Sequence, residues 1–189
     1  RVSLMATISL CAIVKNEQNN IARCIDSVKK YVDEVIVVDT GSSDKTVDIA
    51  ENMGAKVFSY QWADDFAAAR NFALDQASGD WIVFLDADEY FEPDKSVNLP
   101  AVVRKVHGNR KIDAVCILMK HMEKLDGPAI AHTQIVRLFR HSRSIRYQGR
   151  IHEAIFKQGR SPVVVYIPES TMAIRHTGYS QSTLPEKAR

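Results

Sequence analysis

Residues 81–85 run Trp-Ile-Val-Phe-Leu, and this apolar stretch stops abruptly at Asp86-Ala87-Asp88-Glu89. A short uncharged run of this kind suits a strand covered on both faces, the usual state of a central strand in a sheet wrapped by helices. Unpaired carboxylates are too costly to bury inside such a strand, so they mark its end. On an extended chain the side chains at i and i+2 lean to the same side, which brings Asp86 and Asp88 together. Like charges held together raise their own energy unless a cation lies between them. A strand-end turn with acids meeting water would account for one aspartate. Three acids directly after five apolar residues favour a divalent-metal site.

The preceding segments share that layout. Residues 7–14 read as a first strand, and Asn19-Asn20 can cap a helix carrying Ile21, Cys24, Ile25, Val28 and Val32 at helical spacing. Residues 34–38 (EVIVV) form a second strand, ending at Asp39 and the loop Thr40-Gly41-Ser42-Ser43-Asp44. A helix over 45–53 stops at Gly54, a strand follows at 56–60, then an alanine-rich helix over 65–77 stops near Gly79. Strands alternating with helices predict an α/β fold: a Rossmann-like half with a mostly parallel central sheet. Ligands of such sheets bind beyond the carboxyl ends of the strands. Val14-Lys15-Asn16-Glu17, Asp39 and Asp86-Ala87-Asp88 all fall there.

After Pro93 the pattern loosens. A helix is expected at 97–106, strands at 113–120, 134–139 and 163–167, an irregular polar stretch at 143–153, and a short strand at 171–176. A helix begins to take shape from Ser180. The second half reads as an α+β extension on the nucleotide-type first half, giving one domain over 1–189 with its halves at 7–92 and 93–189. A downstream module beyond residue 189 is left open.

The bulk numbers exclude several classes. The 189 residues are 46% hydrophobic and 25% charged, as in ordinary globular enzymes. The 25 basic and 23 acidic residues leave a net charge of +2, which argues against nucleic-acid binding. Three cysteines are odd in number and too few for a disulfide scaffold, so Cys11, Cys24 and Cys116 read as buried small hydrophobes. No stretch approaches the roughly 20 apolar residues of a membrane span. The opening residues lack a small-residue cleavage site, and Met5 is a candidate start. A cytoplasmic location is expected, at most peripheral to the inner face of a membrane.

Common phosphate cradles are missing. No G-x-G-x-x-G follows the first strand, and Gly41-Ser42-Ser43-Asp44-Lys45-Thr46 lacks the second glycine of a P-loop. Phosphate charge then falls mainly to a metal. Carboxylates at Asp86 and Asp88 suit Mg2+ or Mn2+ bridged to diphosphate oxygens.

Four runs occur in the order found in glycosyltransferase family 2: Ile13-Val14-Lys15-Asn16-Glu17, Val37-Val38-Asp39-Thr40-Gly41-Ser42-Ser43-Asp44, Asp64-Asp65-Phe66-Ala67-Ala68-Ala69-Arg70-Asn71 and Leu85-Asp86-Ala87-Asp88-Glu89. The chain resembles that family strongly over residues 7–92. It does so more weakly through Gly149-Arg150-Ile151-His152-Glu153 and His176-Thr177-Gly178-Tyr179. The resemblance implies a GT-A fold and a metal-dependent transferase using a nucleoside-diphosphate sugar, with UDP as the expected nucleotide and Mn2+ or Mg2+ as the ion. Similar sequences include bacterial transferases that modify peptides and others that build lipopolysaccharide core.

Carried over residue by residue, Val14 and Glu17 would line the nucleoside pocket, the first through its backbone, and Asp39 would accept from uracil or ribose. Arg70 would reach the base or a phosphate. Asp86 would hold the ribose or the metal shell, and Asp88 would ligate the metal directly. His176 would complete the metal shell or touch the diphosphate. Transfer in the family usually inverts the sugar, which requires a base opposite the leaving diphosphate. Glu153 is the candidate, against the plainer reading that it pairs with a nearby arginine.

Arg137, Arg140, Arg143, Arg146 and Arg150 read as a solvated basic face. Trp62 and Phe66 are expected to pack the third helix on the sheet. The expected partners are the donor and an acceptor peptide, glycan or lipid-linked glycan; a homodimer is left open. Two competing readings are a sugar-nucleotide pyrophosphorylase, which would normally carry a glycine-rich first loop, and a non-catalytic module of the same shape.

Overall fold

Each uncharged run of the first half becomes a parallel strand in the computed structural model, which describes residues 5–150 and 152–178. The strands β1 (Ile8–Val14), β2 (Glu34–Asp39), β3 (Lys56–Ser59) and β4 (Trp81–Phe84) alternate with helices α1 (Ile21–Asp26), α2 (Thr46–Asn52) and α3 (Phe66–Gln76). β1 lies between β2 and β4, with β3 outside β2 and all four parallel. The chain thus builds outward on one side of β1 and then crosses to the other. That reversal makes a crevice beyond the carboxyl ends of β1 and β4.

The second half extends the same sheet to nine strands among the described residues. β7 (Ala129–Arg140) runs antiparallel to both β4 and β6 (Ala114–Met122). Along the far edge of β6 lie β10 (Val164–Tyr166) and then β11 (Ala173–His176), both parallel to it. β5 (Glu89–Phe91), the segment directly after the acidic turn, closes antiparallel against β11. Helix α4 (Leu99–His107) buries Leu99, Val102, Val103 and Val106, an i, i+3, i+4, i+7 stripe. Alternation along the strands feeds two apolar layers. Leu10, Val37, Trp81 and Val83 join α1 and α4 on one face, and Cys11, Ile36, Ile82 and Phe84 join α3 on the other. The three cysteines are buried and free, as expected. Among the described residues no helix is long and apolar enough to cross a membrane.

Several elements differ from expectation. α1 ends at Asp26 and gives way to a 3-10 turn at Lys29–Tyr31, so Val28 and Val32 lie beyond the helix. Asn20 makes no side-chain cap there; it donates to Glu17 Oε2 at 2.8 Å and accepts from Arg23 at 3.0 Å. The stretch expected to be irregular contains β8 (Ile145–Gln148), paired antiparallel with β9 (Ala154–Lys157) in a second small sheet. Ile145 and Tyr147 bury their side chains while Gln148 is exposed, a short alternation hidden by its arginines. β7 begins five residues earlier than expected, because the exposed segment from Ala129 pairs with β6 and needs no apolar pattern to do so. The helix expected from Ser180 lies outside the described residues.

The opposite, amino-terminal edge of the sheet is tied by one carboxylate. Glu34 accepts from Ser9 Oγ at 2.7 Å, Ser78 N–H at 2.6 Å, Ser78 Oγ at 2.9 Å and Lys56 Nζ at 3.1 Å. Gly79 donates to Ser9 Oγ at 2.9 Å, and a Cβ on it would lie 2.8 Å from the Ser9 backbone nitrogen, so only glycine fits. Burial disfavours the charged form of Glu34, but its hydrogen bonds outweigh this and lower its pKa from 4.5 to about 2. A lowered carboxyl pKa stabilises the fold above the ordinary value, and that contribution is lost as pH falls toward the lowered one. Urea midpoints should therefore decline as pH falls from 4.5 to about 2, with a shallower decline in Glu34→Gln. Equal slopes in the two proteins would refute this role.

Candidate active site

Three polar clusters meet at the carboxyl edge. Val14, at the end of β1, is in register with Asp39, at the end of β2, and the β4 carboxylates lie on the other side of β1. The β1 and β2 ends are organised largely by their own loops. The Val14 carbonyl accepts from Thr40 N–H at 2.9 Å and Thr40 Oγ1 at 3.0 Å. Asp39 accepts from the N–H groups of Gly41 and Ser42, each at 3.1 Å. Glu17 donates its N–H to Thr46 Oγ1 at 2.8 Å.

Asp86 and Asp88 have separate partners. Asp86 Oδ1 accepts from Arg70 Nη2 at 2.8 Å, and Oδ2 accepts from Arg137 Nη2 at 2.9 Å. The like-charge problem at this turn is relieved on the Asp86 side by two guanidinium groups. Arg137 also binds Glu89 through Nε at 2.8 Å and Nη2 at 2.5 Å. Arg70 reaches in the other direction and donates from Nε to Glu153 Oε1 at 2.7 Å. Its guanidinium lies over Phe84 and Tyr147, 4.7 and 5.3 Å from the ring centroids. Nη1 of Arg70 is buried and has no hydrogen-bond partner among the described residues.

This network sets the local charge. Burial works against ionised Asp86, yet Arg70 and Arg137 prevail and hold its carboxyl below the ordinary range. Burial also pushes Glu89 up, helped by Asp86, and Arg137 only partly offsets it. Arg137 is itself raised despite burial, through Glu89 and Asp86.

Asp88 faces the late histidine. β5 pairs with β11 so that Glu89 lies opposite His176, and Thr177 N–H donates to the Asp88 carbonyl at 3.0 Å. Asp88 Oδ2 and His176 Nε2 are 3.5 Å apart. Burial opposes a charged His176, but the Asp88 carboxylate, then Glu89 and Asp86, raise its pKa. A Cβ on Gly178 would stand 2.6 Å from Asp88 Oδ2 and closer still to His176 Nε2, so the chain leaves room there only as glycine.

These two donors fit a hard divalent ion. Ligand atoms about 2.1 Å from one ion can be 3.5 Å apart. Among the described residues no group of three or more His, Cys, Asp or Glu side chains could hold an ion. The remaining positions would fall to water and phosphate oxygens, as Mg2+ sites commonly arrange.

Glu153 follows His152, which has a positive φ of 56°. The neighbouring Arg150 carbonyl accepts from Phe66 N–H at 3.3 Å, at the start of α3. Glu153 does pair with an arginine, but with Arg70 on α3 and not with one of its sequence neighbours. Its Oε2 has no hydrogen bond among the described residues. Ile151 and Tyr179 of the two later motifs lie outside those residues.

Arg137 corrects the solvated-face expectation, being only 7% exposed. Its signal was present in Ile135-Val136-Arg137-Leu138-Phe139, a lone charge inside an apolar strand that demands a buried partner. Arg140 is also structural, lying over Trp81 and donating to carbonyls at the end of α4. Phe66 is 41% exposed and meets Trp62 edge-on at 4.8 Å, so this pair does not pack α3 onto the sheet as expected.

Replacing Arg137 with methionine leaves Glu89 buried and unpaired and frees one Asp86 oxygen. Such a change typically costs about 3–5 kcal/mol, readable as a lower denaturant midpoint; an unchanged midpoint would contradict the network.

The family model for glycosyl transferase family 2 matches residues 9–172. A TPR repeat-containing protein of Synechococcus elongatus is 38% identical over 188 residues, 97% of this chain and 45% of that protein. The prophage-derived glycosyltransferase SunS of Bacillus subtilis is 30% identical over 187 residues, 97% of this chain and 43% of that one. The chain thus spans less than half the length of either relative. Residues 1–349 of Staphylococcus aureus TarS superpose with a TM-score of 0.61 at 17% identity, covering 91% of this chain and 60% of that one, a likeness of fold. With most of its length matched by the family model and the expected GT-A architecture in place, the chain belongs to glycosyltransferase family 2.

Proposed function

We propose that this domain carries out inverting transfer of a sugar from a nucleoside-diphosphate sugar, with UDP as the nucleotide, to a peptide, glycan or lipid-linked glycan. The observation that carries the proposal is the Asp88–His176 pair, held open by Gly178 at the carboxyl edge. Asp88 and His176 are the residues that would hold Mn2+ or Mg2+. When bound, such an ion supplies Lewis-acid stabilisation of a departing diphosphate. Val14, Glu17 and Asp39 form the nucleoside end of the crevice, where Asp39 stiffens its loop for the base and ribose. Asp86, paired with Arg70 and Arg137, would hold the ribose or the outer metal shell.

The acceptor group attacks the anomeric carbon as the bond to the diphosphate oxygen breaks. Glu153 takes the acceptor proton, and the nucleoside diphosphate leaves with the bonding electron pair. Arg70 Nε fixes Glu153 Oε1 at 2.7 Å and leaves Oε2 to meet the acceptor. A base on this side, opposite the leaving group, is what inversion requires.

A ligand that binds only the folded state stabilises by about 2.7 kcal/mol at a hundredfold excess over its dissociation constant. UDP should raise the melting temperature with Mn2+ present and leave it unchanged with EDTA. A pyrophosphorylase would instead form sugar nucleotide from sugar phosphate and nucleoside triphosphate, and a non-catalytic module would turn over neither substrate. Released UDP from a panel of UDP-sugars identifies the donor, and Asp88→Asn should abolish that release at unchanged stability; normal turnover would remove Asp88 as a ligand.

Glu153→Gln should still bind UDP-sugar while transfer falls by about 10²–10⁴-fold, the usual contribution of a positioned base. Unimpaired transfer would eliminate it as the base.

A further inference from the structure

His176 meets a second histidine on its other ring nitrogen. His176 Nδ1 is 3.0 Å from Nδ1 of His121, and His121 Nε2 is 2.9 Å from Thr133 Oγ1. The strand pairing creates this line. β11 runs beside β6 with His176 in register with His121, and Thr133 lies on β7 along the opposite edge of β6. The two rings are edge-on at 79°, with centroids 5.2 Å apart, so one nitrogen addresses the other in place of ring stacking.

Two Nδ1 atoms at 3.0 Å need one proton between them, carried by one ring and accepted by the other. A histidine that ligates through Nε2 must present a lone pair there, so its proton sits on Nδ1. His176 is then the donor and His121 the acceptor. His121 must in consequence carry its own proton on Nε2, the nitrogen that faces Thr133 Oγ1. The opposite polarity would put a proton on His176 Nε2 and leave no lone pair beside Asp88. Only one arrangement of the three side chains therefore suits cation binding.

We propose that His121 is a positioning residue for the site. By accepting from His176 Nδ1 it fixes that ring's tautomer and plane, and keeps the Nε2 lone pair turned to the space shared with Asp88. This inference rests on the reading of Asp88 and His176 as the cation ligands.

The test compares wild type, His121→Phe, His121→Asn and His176→Ala. Phenylalanine keeps the ring but removes the acceptor, whereas asparagine restores an oxygen near the position of Nδ1. Mn2+ affinity with UDP present, read by electron paramagnetic resonance, should weaken about 10–100-fold in His121→Phe, as for other partners of metal-ligating histidines. It should recover most of that loss in His121→Asn. Two-bond proton–nitrogen spectra of the wild type loaded with UDP and diamagnetic Mg2+ should place the His121 proton on Nε2. Undiminished affinity in His121→Phe, no recovery in His121→Asn, or a His121 proton on Nδ1 would each overturn the positioning role. Absence of Mn2+ binding in wild type, or a His176→Ala protein that binds as well as wild type, would instead overturn the ligand assignment itself. Melting curves identify any variant that fails to fold, and the wild-type spectra decide the tautomer independently of every variant.

Discussion

Two buried arginines hold the carboxyl edge of this sheet together. Arg137 joins Asp86 to Glu89, and Arg70 joins Asp86 to Glu153. Each guanidinium presents several donors in a fixed plane, so one side chain can satisfy two carboxylates at once. Taking such charges out of water is expensive, and the arrangement is tolerable only because the partners arrive together. They come from the turn after β4, from β5, α3 and β7, and from the segment before β9, which makes the site a joint product of both halves of the chain. Phe84 and Tyr147 complete the setting by offering ring faces to Arg70.

This division of labour changes how the acidic turn works. Asp86 engages the arginines, while Asp88 is turned toward β11. The two aspartates are two residues apart in sequence, yet one pairs with Arg70 and Arg137 while the other faces His176. What separates them is the short β5 pairing, which swings the chain into register with β11 immediately after the turn. Gly178 then keeps the space beside Asp88 and His176 clear of a side chain.

The contrast with the amino-terminal edge is instructive. There Glu34 is surrounded by hydroxyls, a backbone N–H and a lysine, and every contact closes the structure. At the carboxyl edge Asp86, Glu89 and Glu153 share two arginines, and Asp88 faces His176. Parallel strands make this asymmetry natural, because every loop leaving a carboxyl end can contribute to one site.

The α/β class, the first four strands and the convergence of Val14, Asp39 and the acidic turn were legible in the amino-acid sequence. Continuous apolar runs and their polar terminations are local signals, and burial on both faces of a parallel strand leaves little freedom in reading them. Three features required the folded chain: the capture of Asp86 by Arg70 and Arg137, the pairing of Glu153 with Arg70, and the meeting of Asp88, His176 and His121. Arg137 looked like one of several basic residues, and β8 like a polar loop, since neither pattern reveals which distant group completes it. Local sequence determines where a strand starts and where its charges emerge. Which charge meets which across 83 residues from Arg70 to Glu153 is decided by strand order and register, because desolvation forces each buried ion to find a partner supplied by another part of the sheet.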